Sequence, residues 1–199
     1  VVAAELLGGN ADAGQYNSVL DIGDQAPKWQ DLPGVDDQTH SFDELSRFPV
    51  VVVAFTCNSC PYAVDVEDRL VEFHKQYSQR GVGLIAINVN KVEEDRLPAM
   101  KEKATQKGFK FPYLFDESQK IARDYGAKYT PEFFVLDRQR KVVYMGPLDD
   151  SPDGKSVSVS YVADAVNATL EGTKPQVTEM VPIGCRVRFE RQRRARRAK

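Results

Sequence analysis

The sequence predicts an α/β fold in three layers: a central mixed β-sheet flanked by helices. Three observations carry this. Val50-Val51-Val52-Val53-Ala54-Phe55 is a continuous apolar, largely β-branched run, the pattern of a strand buried on both faces. The segment after it has apolar residues at helical spacing, and strands then alternate with helices, as in parallel βαβ units. Two late strands joined by a short polar link close the chain as an antiparallel hairpin, which makes the sheet mixed.

The elements follow in order. Pro61 to Gln79 reads as a helix, with Tyr62, Val66, Leu70, Phe73 and Tyr77 on one stripe. Pro61 suits the first helical position, where a missing N–H costs nothing. Gly81 breaks the helix, and Val82 to Val89 is a second buried strand. Glu93-Glu94-Asp95 supplies negative charge for the start of a further helix that runs through Leu97, Met100 and Ala104 to Gly108. Phe111 to Phe115 is a short strand and Ser118 to Tyr125 a short helix ended by Gly126. Glu132 to Leu136 and Lys141 to Met145 form the hairpin, joined by Asp137-Arg138-Gln139-Arg140. Tyr161 to Leu170 is the last helix, with Val162, Ala165, Val166 and Leu170 facing inward. An N-terminal β-hairpin extension is expected around His40.

The chain has 199 residues, 42% of them hydrophobic. That length suits one domain with tails and buries about 70% of the unfolded surface, enough for a core without disulfide or metal. We divide it into an N-terminal extension (1–21), one domain (22–189) and a basic tail (190–199). Arg186 to Lys199 hold 8 basic residues and 1 acidic one, which leaves 1–185 with a net charge of −9. An acidic body of this kind argues against nucleic-acid binding by the domain. The tail reads as a solvated end. The longest apolar run, Val50 to Phe55, is far short of the roughly 20 residues of a membrane span. Val1 to Gly14 lacks the charged stretch of a signal peptide, and the compartment stays open, export included.

The chemistry centres on Cys57-Asn58-Ser59-Cys60-Pro61, a CxxC at a strand-to-helix junction. Thiolate is the nucleophile, and a helix N-terminus offers free N–H groups and the positive end of its dipole. Cys57 is expected to attack and Cys60, three residues on, to resolve the mixed disulfide. A zinc knuckle would need four ligands, and only Cys185, His40 and His74 remain. A purely structural disulfide here would close a loop too small to stabilise much. No metal or cofactor is expected. Thr130-Pro131 stands just before the Glu132 strand, where the topology puts it opposite the cysteine loop; spacing alone leaves its peptide bond cis or trans.

These features resemble the thioredoxin-like superfamily and, more closely, the peroxiredoxin-like branch of the alkyl hydroperoxide reductase and thiol-specific antioxidant family. The matching stretches include Ile22-Gly23-Asp24-Gln25-Ala26-Pro27, Phe55 to Tyr62, Ala86-Ile87-Asn88, Phe111 to Asp116, Thr130-Pro131-Glu132 and Pro182-Ile183-Gly184-Cys185. The resemblance implies a thioredoxin-like fold, a cis-proline at Pro131, and a thiol-disulfide oxidoreductase or thiol peroxidase. Its partners would be thiol or disulfide protein substrates and a thioredoxin-type electron donor or acceptor, with peroxides as the alternative. Two departures matter. Val51 and Thr56 stand where thioredoxins carry a buried acid and a Trp. The Thr that orients peroxide in peroxiredoxins, three residues before the reactive cysteine, is replaced by Cys57 upstream of Cys60 and by Ala54 upstream of Cys57. Thr56 is out of place for that role, and the residues favour dithiol chemistry.

The other candidates are weaker. Cys185 is either a small apolar filler or a third thiol that resolves or relays. His74 flanks the helical stripe too far along to serve Cys60 as a base, and His40 has no partner in the sequence argument. Asp149-Asp150-Ser151-Pro152-Asp153-Gly154 mimics a calcium loop but has Ser160 at its twelfth position and Pro152 inside it. A metal carrier on the same fold would require CxxxC and a distant His rather than this CxxC.

Overall fold

The computed structural model describes residues 14–190. The expectations for residues 1–13 and for the basic run Arg191, Arg193, Arg194, Arg196 and Arg197 lie outside them. The sheet is five-stranded and mixed, in the order β5 (Tyr113–Phe115), β4 (Val82–Asn88), β3 (Val50–Phe55), β7 (Glu132–Leu136), β8 (Val142–Gly146). At its centre β3 (Val50–Phe55) runs parallel to β4 (Val82–Asn88) and antiparallel to β7 (Glu132–Leu136). Its side chains part by alternation. Val51, Val53 and Phe55 enter one core with Ile85, Ile87 and Phe134; Val50, Val52 and Ala54 enter the other with Leu84, Ala86 and Phe133. An unbroken apolar run is what burial on both faces demands.

Helix α1 (Pro61–Ser78) connects β3 to β4 and packs Val66, Leu70, Phe73 and Tyr77 onto the second core. Tyr62, counted in that stripe, is instead 41% exposed, because the first turn stands beside Pro131 and Ile183 rather than over the sheet. Helix α2 (Leu97–Lys107) adds Met100 to the same core and ends at Gly108, whose φ of 67° is the left-handed cap conformation glycine favours. The expected helix start at Glu93 is corrected. Glu93–Asp95 is a separate 3-10 turn, and Arg96 is extended before α2 begins. Pro98 explains the break: its ring would clash with the carbonyl four residues back if one helix ran through it.

On the same edge β5 (Tyr113–Phe115) pairs parallel with β4. It starts two residues later than expected, since Pro112 has no N–H to give a ladder. The opposite face is covered by α3 (Lys120–Asp124), by Trp29 and by a 3-10 helix (Phe42–Arg47) that buries Phe42 and Leu45. The hairpin of β7 and β8 (Val142–Gly146) forms as expected, and α4 (Tyr161–Leu170) lies on the α1 side. The N-terminal hairpin is the pair β1 (Leu32–Pro33) and β2 (Thr39–His40), bridged to the sheet edge through Gly34 and Leu114. Outside the main sheet, β6 (Tyr129–Thr130) pairs antiparallel with β9 (Cys185–Arg186), Thr130 opposite Cys185. No described helix is long and apolar enough to cross a membrane.

Candidate active site

The parallel β3–α1–β4 unit leaves the chain at the carboxyl end of β3 as Thr56-Cys57-Asn58-Ser59-Cys60 before α1 begins. The N-cap of α1 is Cys60, at φ −90° and ψ 121°. The helix start therefore sits at the second cysteine, while Cys57 is in the loop before it. Both cysteines are only 2% exposed. Thr130 touches both: its hydroxyl lies 3.4 Å from Cys57 Sγ, and its carbonyl accepts the Cys60 S–H at 3.0 Å. The Thr130–Pro131 peptide bond is cis. On the far side of Thr130 runs β9. A Cβ on Gly184 would stand 2.2 Å from the Thr130 carbonyl oxygen, so the absence of a side chain there lets the two backbones approach. That approach packs Cys185 against Cys57, Cys60 and Ala63.

The sulfurs share their protons unequally. Cys60 is held below the ordinary thiol range, chiefly because the Cys57 S–H donates to its sulfur. The thiol of Cys185, the Thr130 hydroxyl and the free N–H of Ala63 act in the same direction, against burial. The same contact, together with burial and the carboxylate of Asp95, holds the Cys57 thiol far above its usual range. When the reduced pair loses a proton, both directions favour its loss from Cys60 and its retention on Cys57. The Cys185 thiol is pushed up to about 11, mainly by burial and then by Cys60.

Two carboxyl groups escaped the sequence reading. Asp95 is fully buried and fastens the CxxC loop: Oδ1 accepts the N–H groups of Asn58 (2.7 Å) and Ser59 (2.9 Å), and Oδ2 accepts the Ser59 hydroxyl (2.6 Å). The Asn58 side chain is held in turn by the Glu94 carbonyl and the Tyr113 hydroxyl. An acid thus stands near the thiols, although Val51 occupies the position searched for one. The signal was Pro98, which separates Asp95 from the helix. Glu132, next to Pro131, is buried and accepts the N–H groups of Lys128 (2.8 Å) and Tyr129 (3.0 Å) on one oxygen. Burial raises its carboxyl to about 7 despite those bonds.

Residues 22–145 match the model of the AhpC/TSA family. The chain belongs to the AhpC/TSA family. Its similarity to a hypothetical protein from Sinorhizobium meliloti 1021 is 34% identity over 87% of this chain and 97% of that one, with a TM-score of 0.82. The thiol-disulfide oxidoreductase ResA of Bacillus thuringiensis is 35% identical over 72 residues, 36% of this chain. That alignment spans 39% of the ResA length. The thioredoxin domain of a thiol-disulfide oxidoreductase from Bacteroides vulgatus superposes with a TM-score of 0.55 at 16% identity, covering 63% of this chain and 88% of that one, which establishes the thioredoxin-like fold. The protein is thus oxidoreductase-like, thioredoxin-like in fold and peroxiredoxin-like in family.

Within this AhpC/TSA member, Cys57, Cys60, Thr130, Pro131 and Cys185 converge on one spot. Thr56 is buried and extends the ladder through its N–H to the Ile87 carbonyl. His74 packs edge-on against the Phe111 ring at 5.6 Å, and burial lowers its pKa. His40 sits between the carboxylates of Asp36 and Glu44, each 3.1 Å away. Asp149 pairs with Arg69, whose guanidinium also donates to the carbonyls of Ser151 (3.0 Å) and Pro152 (2.8 Å). Among the described residues no group of three or more His, Cys, Asp or Glu is arranged to hold a metal ion.

Proposed function

We propose that this protein is a thiol-disulfide oxidoreductase whose working group is the Cys57/Cys60 dithiol. The carrying observation is the Thr130 clamp, a hydroxyl on one sulfur and a carbonyl on the other, at the N-cap of α1. Cys60 is the thiolate that forms the first bond to a disulfide sulfur, and Cys57 closes onto Cys60 to complete the exchange. These roles are the reverse of those the spacing suggests, because the helix starts at Cys60. In the net reaction Cys57 and Cys60 lose two electrons and two protons and become a disulfide, and the partner disulfide gains them as two thiols; the opposite direction is the reverse of each step. Protein partners are favoured by the apolar rim of Tyr62 and Ile183 beside Pro131, both 41% exposed. A thioredoxin-type protein is the matching electron donor or acceptor.

The test mixes reduced protein with excess insulin, a protein disulfide, and quenches with maleimide to count oxidised molecules. Cys60→Ser should slow oxidation at least about a hundredfold. The Cys57→Ser/Cys185→Ser double variant, left with no resolving thiol, should accumulate a mixed disulfide on Cys60. Retention of more than about a tenth of the wild-type rate by Cys60→Ser would overturn the assignment.

A further inference from the structure

Exchange with a partner requires a sulfur that the partner can reach in line with the bond being broken. Cys57 and Cys60 are each 2% exposed, so a partner meets them only when the site opens. Cys185 is the half-buried member of the cluster, and several independent features place it. It is the register partner of Thr130, the residue that touches both other sulfurs. Gly184 removes the one side chain that would keep β9 off Thr130. Cys185 packs directly against Cys57, Cys60 and Ala63 of the first turn of α1. Cys60 raises the Cys185 thiol, while the positive charge of Arg188 acts against that rise. A cysteine that only filled space would not need the glycine that lets β9 reach Thr130.

Resting on the Cys57/Cys60 reading, we propose that Cys185 is a third redox thiol that carries exchange between the buried pair and protein thiols at the surface, through a Cys60–Cys185 disulfide. In the oxidised protein, Cys185 Sγ gives up its proton and attacks Cys60 Sγ. The Cys60–Cys185 bond forms, the Cys57–Cys60 bond breaks, and Cys57 leaves with the electron pair and takes the proton. A partner thiolate then attacks the accessible Cys185 Sγ and expels Cys60 as a thiolate. The resulting partner–Cys185 disulfide is resolved by a second thiol of the partner, which leaves Cys185 reduced and the partner oxidised. Cys60 is the common member of both internal disulfides. It is also the sulfur best stabilised as an anion, hence the best leaving group of the three.

The experiment has two parts. Cys57→Ser protein is oxidised with glutathione disulfide, blocked with N-ethylmaleimide, digested and mapped by mass spectrometry. A Cys60–Cys185 linked peptide is expected in more than about half of the molecules; glutathione adducts without that link would overturn the proposal. In the second part, Cys185→Ser is compared with wild type in exchange with insulin, and at least about a tenfold slowing is expected. A rate within twofold of wild type would overturn the proposal. The wild-type rate itself tests the Cys57/Cys60 reading, whereas the link in Cys57→Ser is read without any turnover, so the two failures are distinguishable.

Discussion

Replacing Glu132 by Gln should flatten the stability-against-pH profile of the protein between pH 5 and pH 8. The carboxyl titrates near 7 in the fold against an ordinary 4.5, because burial disfavours its charged form and no cation is paired with it closely enough to compensate. Below the ordinary value both states hold the proton and the group costs nothing. Between the two values the unfolded chain releases its proton while the folded chain keeps it, so stability falls as pH rises. Above 7 both are ionised and the full cost is reached. A gap of about 2.5 pH units at about 1.4 kcal/mol each gives roughly 3.5 kcal/mol, most of it between pH 5 and pH 8. Gln keeps one oxygen to accept the two N–H bonds of Lys128 and Tyr129 and carries no titratable proton. Urea midpoints at pH 5, 6, 7 and 8 under reducing conditions should show the variant gaining about 2–3 kcal/mol on the wild type across that range. The thiols are common to both proteins and cancel in the difference. Parallel profiles, within about 0.5 kcal/mol, would refute the reasoning, since a carboxyl that titrates alike in both states adds no slope.

Further outcomes follow from the same geometry. Asp95→Ala leaves three donors of the CxxC loop without their acceptor and should cost about 3 kcal/mol or more in urea unfolding, with a loss under about 1 counting against the clamp. Asp95→Asn keeps an acceptor for the loop and removes the charge beside Cys57, so Cys57 alkylation by iodoacetamide should shift to lower pH; an unmoved profile would mean that charge is not felt. Hydrogen peroxide should oxidise the reduced protein slowly, on the order of 10–1000 M⁻¹s⁻¹, because Cys57 fills the position of the peroxide-orienting Thr; stopped-flow rates near 10⁵ M⁻¹s⁻¹ would make peroxidase the primary activity. Phe55→Ala should destabilise by about 3–5 kcal/mol, as it empties a fully buried site packed edge-on against Tyr125 and Phe134.

Much of the fold was legible because its signals are local. The β3 run, the α1 stripe from Val66 to Tyr77, the Gly108 stop and the β7–β8 hairpin each follow from side chains within one or two turns of one another. Where the reading failed, a neighbour intervened: Pro98 cut the helix that Glu93 was expected to start, and Pro112 delayed β5. In the site, spacing at a strand-to-helix junction singled out Cys57 and Cys60, while the cis bond before Pro131 was implied by the family resemblance and is present. Asp95 was not, since its acceptors are spent on Asn58 and Ser59, more than thirty residues away in the chain. Glu132 read only as the first residue of a strand, and nothing nearby in sequence reveals that its carboxyl is buried.

The sequence by itself determined the layer order, the strand-to-helix junction that carries the dithiol and the proline facing it, because periodicity, propensity and turn chemistry act over a few residues. The tertiary structure decided how the three sulfurs gather around Thr130 and which of them is least buried. The contact between Cys57 and Cys60, with Asp95 by Cys57, lowers the Cys60 thiol and raises that of Cys57. The half-buried place of Cys185 follows from β9 pairing with β6, which brings it to residues more than 120 positions earlier. Electrostatic energy and solvent access depend on distances through space, and only packing sets those.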